Sequence, residues 1–237
     1  MDLIVIADMI EDEEMLRKSL MSINKHQFRK KFLLFDGPRD TLFKKDYDKY
    51  SKYKKGIAKE YKDFEIIEHT DQLYYKPLLD NFIRNNYDDL SEDLLILQDD
   101  VIVDDCNLEE VLEQKKAVED CKILYFREDR LRCEHWFNVI DNSLEDLQKT
   151  HGWSERVWII NKKDIKEIFD QLVGGCDTKI LVGTHKGKFI DVYYCDLMKK
   201  GWRNLSDEVK EEHWRKWGTY EHKNIHHKHL AGKRPKR

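Results

Sequence analysis

The sequence predicts an α/β fold, a single domain with a mainly parallel central sheet flanked by helices, and three observations carry that prediction. Short apolar runs alternate with longer segments of helical periodicity, the order that parallel strands joined by crossover helices require. The runs are apolar at consecutive positions, as in strands covered on both faces. No internal repeat or low-complexity linker interrupts the 237 residues, which favours one continuous domain over two separable ones.

Taken in order, Leu3 to Ala7 is the first strand, and Glu13 to Ile23 places Met15, Leu16, Leu20 and Ile23 at helical spacing. Phe32 to Phe35 is the second strand, stopped by Asp36-Gly37-Pro38, whose residue types favour a turn. Arg39 to Lys62 is polar, rich in Lys and Tyr, and reads as a loop with one or two irregular helical turns. Phe64 to Ile67 is a third strand. Lys76 to Tyr87 is a helix with Pro77 in its first turn and Leu78, Leu79, Phe82 and Ile83 on one face, leading into a fourth strand, Leu94 to Gln98. Asn107 to Val118 is a helix and Lys122 to Phe126 a strand. The second half is less regular, with strands expected at His135 to Ile140 and Val157 to Ile160 and a helix from Asp164 to Leu172 closed by Gly174-Gly175. Asp177 to Leu181 and Phe189 to Tyr194 complete the pattern before a charged, Trp-rich stretch from Trp202 onward.

Hydrophobic residues make up 40% of the chain and charged residues 38%, enough apolar clustering for a packed interior rather than disorder. No apolar run is long enough to span a bilayer, and the acidic stretch Asp8 to Glu14 is unlike a signal peptide, so a cytoplasmic location is the expectation. The five cysteines are scattered without zinc or redox spacing and read as reduced packing residues. Residues 221–237 carry six Lys/Arg against one Glu, a basic His/Lys-rich tail on a body more acidic than the chain's net −4. That tail suits phosphate or an anionic surface, or is a solvated terminus; the acidic body argues against a nucleic-acid-binding role.

The most informative stretch is Leu94 to Val101, where an apolar strand runs into the adjacent carboxylates Asp99 and Asp100. Ligands of open α/β sheets bind at the carboxyl ends of the strands. Two hard oxygen donors there suit Mg²⁺ or Mn²⁺, which takes one or two protein carboxylates and completes its shell with phosphate and water. Asp is also an ordinary residue of strand-end turns. A nucleotidyltransferase uses a similar Asp pair but calls for a Gly-rich phosphate loop near the amino terminus, and residues 7–14 contain no Gly.

Gln98-Asp99-Asp100 after a central strand, within this element order, resembles the DXD-type signature of the GT-A fold nucleotide-sugar-dependent glycosyltransferases, over roughly residues 1–200. Compact GT-A domains of this size are encoded by some large algal viruses. The resemblance implies transfer of a sugar, most simply from a UDP-sugar, to a hydroxyl of a glycan or glycoprotein acceptor. It divides the domain into a nucleotide-binding half, 1–105, and an acceptor half, 106–220. Asp100 becomes the expected direct metal ligand, Asp99 and Gln98 support the ribose or the metal shell, and Gln98 departs from the signature by carrying no charge. Asp36 and then Asp8 become candidates to read the base, and Lys76 to approach the diphosphate; each Asp is also a plausible turn or helix cap. Asp177, with Glu155 as rival, becomes the candidate general base for an inverting transfer. Among the late histidines, His226 or His229 becomes a candidate metal ligand, as in GT-A enzymes that complete their metal site with a late His.

Overall fold

The structure, a computed structural model, describes residues 1–7, 13–37, 47–70, 73, 75–128, 139–150, 156–166 and 218–230. β1 (Asp2–Ala7) is apolar from Leu3 on because both of its faces are covered. Leu3, Val5 and Ala7 join one core cluster while Ile4 and Ile6 join the other. On the first face lie α1 (Glu13–Asn24), contributing Leu16, Leu20 and Ile23, and α2 (Tyr47–Glu60), contributing Tyr50, Tyr53 and Ile57. On the second lies α3 (Tyr75–Asn86), with Leu78, Leu79, Phe82 and Ile83 turned inward. Pro77 occupies its first turn, where no intrahelical N–H is needed.

α2 corrects the expectation of a loop over Arg39 to Lys62. Its inward stripe is made of Tyr50, Tyr53 and Ile57 at spacings of three and four, and tyrosine counts as polar in a simple apolar scan although its ring packs like a hydrophobe. Lys54 lies in the same stripe, its Nζ paired with Glu68 and 4.6 Å from the centre of the Tyr50 ring.

Four strands run parallel at one side of the sheet, in the order β3 (Glu65–Glu68), β2 (Lys31–Phe35), β1, β4 (Asp93–Gln98). Beyond β4 the directions are mixed: β9 (Val157–Asn161) is antiparallel to both β4 and β6 (Ile123–Glu128), and β10 (Thr219–His229) is parallel to β6. β8 (Leu147–Thr150) and β7 (Val139–Asp141) complete that side, and β5 (Val101–Val103) pairs antiparallel with β10. The result is a mixed α/β domain whose ten-stranded sheet, among the described residues, has helices on both faces. α4 (Leu108–Lys116) follows β5, capped by Asn107, whose Oδ1 accepts from Glu109 N and Glu110 N.

β10 also corrects the boundary at residue 220: residues 221–229 are sheet, not tail. Tyr220, Glu221, His222, Ile225 and His227 are buried there, mostly by strands on either side rather than by apolar periodicity, which is why composition suggested a terminus. Gly218, just before β10, adopts φ +53, and its carbonyl accepts from Lys122 N and Ile123 N. Residues 162–166 are helical, in keeping with a helix near Asp164. The expected strands over Asp177 to Leu181 and Phe189 to Tyr194 lie outside the described residues.

Candidate active site

The carboxyl ends of β1, β2, β3 and β4 share one edge of the sheet, and the candidate residues hang from β1 on both sides. Asp36 N donates to Ala7 O at 3.2 Å, and Asp99 N donates to Ile6 O at 3.1 Å. Two backbone hydrogen bonds to consecutive carbonyls of one rigid strand thus fix the residue after β2 and the residue after β4 relative to each other. Gln98 is held in turn: its amide donates to Arg156 O at 2.9 Å, and its carbonyl accepts from Ser19 Oγ on α1 at 3.2 Å.

Asp36, Asp99 and Asp100 are 1%, 4% and 7% exposed. Burial of that order strips most of the water from a carboxylate, so each must be served by donors or by a cation. For Asp36 the service is visible: Oδ1 accepts from Gly37 N at 2.9 Å and from Leu73 N at 2.7 Å, while Tyr50 OH donates to its main-chain carbonyl at 2.6 Å. One oxygen of Asp36 is therefore committed to shaping the turn after β2. His69, the residue after β3, is tied to the same corner through His69 N to Phe35 O at 3.0 Å.

Asp99 and Asp100 form the turn between β4 and β5, and β10 closes against it. Leu230 N donates to Asp100 O at 2.6 Å, and His229 is the register partner of Val101. The register separates the two histidines named from sequence. His229 is placed one residue from Asp100, whereas His226 pairs with Arg127 of β6 and its carbonyl accepts from Asp104 N.

His227 was missed by sequence reasoning. It is fully buried, and its Nδ1 is 2.9 Å from Phe126 O, a contact that requires the ring to donate from Nδ1. In the neutral ring that leaves the proton off Nε2. The only sequence signal was its place in a dense run of histidines.

Asp8, Glu155 and Asp177 lie outside the described residues, and Lys76 is placed on α3 by its backbone. Among the described residues no three His, Cys, Asp or Glu groups converge as a ready-made metal cluster. The donor set at Asp99 and Asp100 still fits Mg²⁺ or Mn²⁺ in kind, since such ions take few protein carboxylates and fill their shell with phosphate and water. The two described cysteines do not compete for that role: burial pushes the thiol of Cys106 up to about 11 and that of Cys121 up to about 12.

No protein-family model and no curated protein sequence matches the chain. Solved structures do. The structure of GalNAc-T7 with UDP, GalNAc and Mn²⁺ superposes with a TM-score of 0.57 at 10% identity, covering 99% of this chain and 45% of that one. The mannosyltransferase PcManGT from Pyrobaculum calidifontis, in complex with GDP-Man and Mn²⁺, has a TM-score of 0.48 at 10% identity, covering 76% of this chain and 48% of that one. A mannose-1-phosphate geranyltransferase from Thermus thermophilus has a TM-score of 0.48 at 12% identity, covering 80% of this chain and 69% of that one. The chain thus spans less than half the length of the GalNAc-T7 structure. At these identities the likeness is one of fold, and the fold is GT-A-like. No helix among the described residues is long and apolar enough to cross a membrane.

Proposed function

We propose that the protein is a metal-dependent glycosyltransferase that moves a sugar from a nucleotide diphosphate sugar, most simply a UDP-sugar, to a hydroxyl of a glycan or glycoprotein acceptor. One observation carries this reading: the buried Asp99-Asp100 turn stands at the carboxyl end of β4, pinned to β1 on one side and to β10 on the other. That is the position where open α/β sheets bind their ligands, and two carboxylates there supply the hard oxygen donors that a divalent cation takes.

In this reading Asp100 holds Mn²⁺ or Mg²⁺, with Asp99 and Gln98 beside the ribose or the metal shell. His229 is the favoured strand β10 partner, and His226 the alternative. When bound, the ion stabilises the negative charge that gathers on the departing nucleoside diphosphate. Asp36 is the first candidate to read the base and Asp8 the second, and Lys76, carried on α3, is the candidate cation for the diphosphate. Asp177, with Glu155 as alternative, takes the proton of the acceptor hydroxyl as that oxygen bonds to the anomeric carbon and the diphosphate oxygen leaves, with inversion.

Thermal shift with UDP and Mn²⁺, together and singly, tests the proposal. At a ligand concentration of about 100 times Kd, binding adds about 2.7 kcal/mol of stability, a shift of several degrees for a domain of this size. Asp100→Ala is expected to abolish the joint shift while keeping a cooperative transition. Asp177→Ala is expected to keep the shift and lose transfer of sugar to an acceptor. A wild-type chain that shifts with neither ligand overturns the reading.

A further inference from the structure

The pairing of β10 with β6 carries an irregularity that the proposed chemistry does not use. His222 pairs with Phe126, yet the next residue of β6, Arg127, pairs with His226, so residues 223–225 are extruded as a bulge. In an uninterrupted strand His222 and His226, four residues apart, occupy the same face. The bulge pairs them with consecutive residues of β6 and so sends them to opposite faces.

His222 itself makes the bulge. Its Nδ1 accepts from Asn224 N and Ile225 N, both at 3.2 Å, and its Nε2 is 3.0 Å from Gln114 Oε1 on α4. Two N–H groups directed at Nδ1 require a lone pair there, which places the proton on Nε2, donating to Gln114. Asp146 braces the assembly from the start of β8. Its carboxylate accepts from Gln114 Nε2 and Asn224 Nδ2, and its carbonyl accepts from Lys223 N at 2.8 Å.

We propose that His222 is a positioning residue: its imidazole holds the bulge that sets the register of the late part of β10 against the Asp100 end of β5. Closing the bulge would advance β10 by three residues, about 10 Å of strand. His226 rather than His229 would then face Val101, and the amide of His227 rather than that of Leu230 would meet Asp100 O. The consequence of this register for metal and donor rests on the function proposed above.

Protonation of Nδ1 sets an N–H against two N–H donors, so the latch works only with a neutral ring. Burial is the largest influence on His222 and lowers its pKa from 6.5; the Asp146 carboxylate opposes that and His226 adds to it. A histidine held below its unfolded value contributes stability that is complete above pH 6.5 and is lost as pH falls toward its folded-state pKa.

Amide hydrogen exchange read by NMR tests the claim in the full chain. In the wild type at about pH 7.5 the amides of Asn224, Ile225 and Leu230 are expected to be protected, and at about pH 5.5 to lose part of that protection, up to about tenfold, after correction for intrinsic exchange. His222→Asn supplies an uncharged oxygen where Nδ1 stands, so protection is expected to persist at both pH values. His222→Ala is expected to lose it at both, Leu230 included, while Tyr220 and Glu221 remain protected. Leu230 keeping wild-type protection in His222→Ala overturns the proposal, as does equal loss along all of β10. If His222→Ala does not fold, a pH response in His222→Asn equal to that of the wild type overturns it instead. Binding of UDP and Mn²⁺ is scored separately at pH 7.5, so failure of the transferase reading is not mistaken for failure of the latch.

Discussion

At the scale of single residues, the buried carboxylates divide by what surrounds them. Asp2 is fully buried and fully served: Oδ1 accepts from Arg29 Nε at 2.9 Å and Lys30 N at 3.1 Å, and Oδ2 accepts from Arg29 Nη2 and from Ser91 N at 2.7 Å. It stands at the amino end of β1, away from the edge that carries Asp99 and Asp100, and joins the segments before β2 and β4. Asp2 is therefore a structural acid. Arg29 is half-exposed and can reach water, but removing the carboxylate takes the acceptor from the amides of Lys30 and Ser91, so Asp2→Ala is expected to cost about 1–3 kcal/mol. Chemical denaturation with UDP binding measured on the folded fraction checks this; a loss below about 1 kcal/mol would show that Arg29 and the two amides find water instead. Under the proposed function Asp100→Ala carries a different expectation: loss of the UDP–Mn²⁺ shift with a cooperative unfolding transition retained. The sequence marked Asp99 and Asp100 because a strand of four apolar residues ends on them. It was silent on Asp2 because the partners of Asp2 lie 27 to 89 residues away.

At the scale of elements, legibility followed how each segment is buried. β1, β2, β4 and β9 were readable because both faces are covered by apolar residues, which writes an unbroken hydrophobic run into the chain. α1 and α3 were readable from helical spacing of aliphatic residues. α2 was not, since tyrosine rings and a lysine stem form its inner stripe. β5 has three residues, and β8 reads Leu-Gln-Lys-Thr; neither offers a period to detect. β10 was not legible, because its run of charged and histidine side chains reads as a basic tail. A Cβ at Gly218 would lie 2.0 Å from Asp120 O, and φ +53 is unfavourable for any L side chain. Gly218→Ala must therefore move the backbone where β10 joins β6, and is expected to destabilise by about 2–3 kcal/mol. A midpoint of thermal unfolding within about 1 °C of the wild type would show that the β10 entry adapts at no cost.

At the scale of the whole molecule, the chain is closed upon itself by its late segment. β10 is bordered by β6, β8 and β5, so residues near position 225 complete a sheet begun at residue 2. Such long-range pairing makes the parallel strands β1 to β4 and the late strand one cooperative unit rather than a core with an appendage. It also joins the two sides of the proposed site, because Leu230 meets Asp100 only when β10 is in place. A chain ending after Tyr220, where the composition places the start of a basic tail, would lose Glu221, His222, Ile225 and His227 from the interior and leave β6 and β8 with exposed edges. That truncated chain is expected to show no cooperative thermal transition and no UDP–Mn²⁺ shift, by calorimetry and by near-ultraviolet circular dichroism. If it melts cooperatively near the wild-type temperature, the sheet from β3 to β6 is self-sufficient, and β10 serves the site alone.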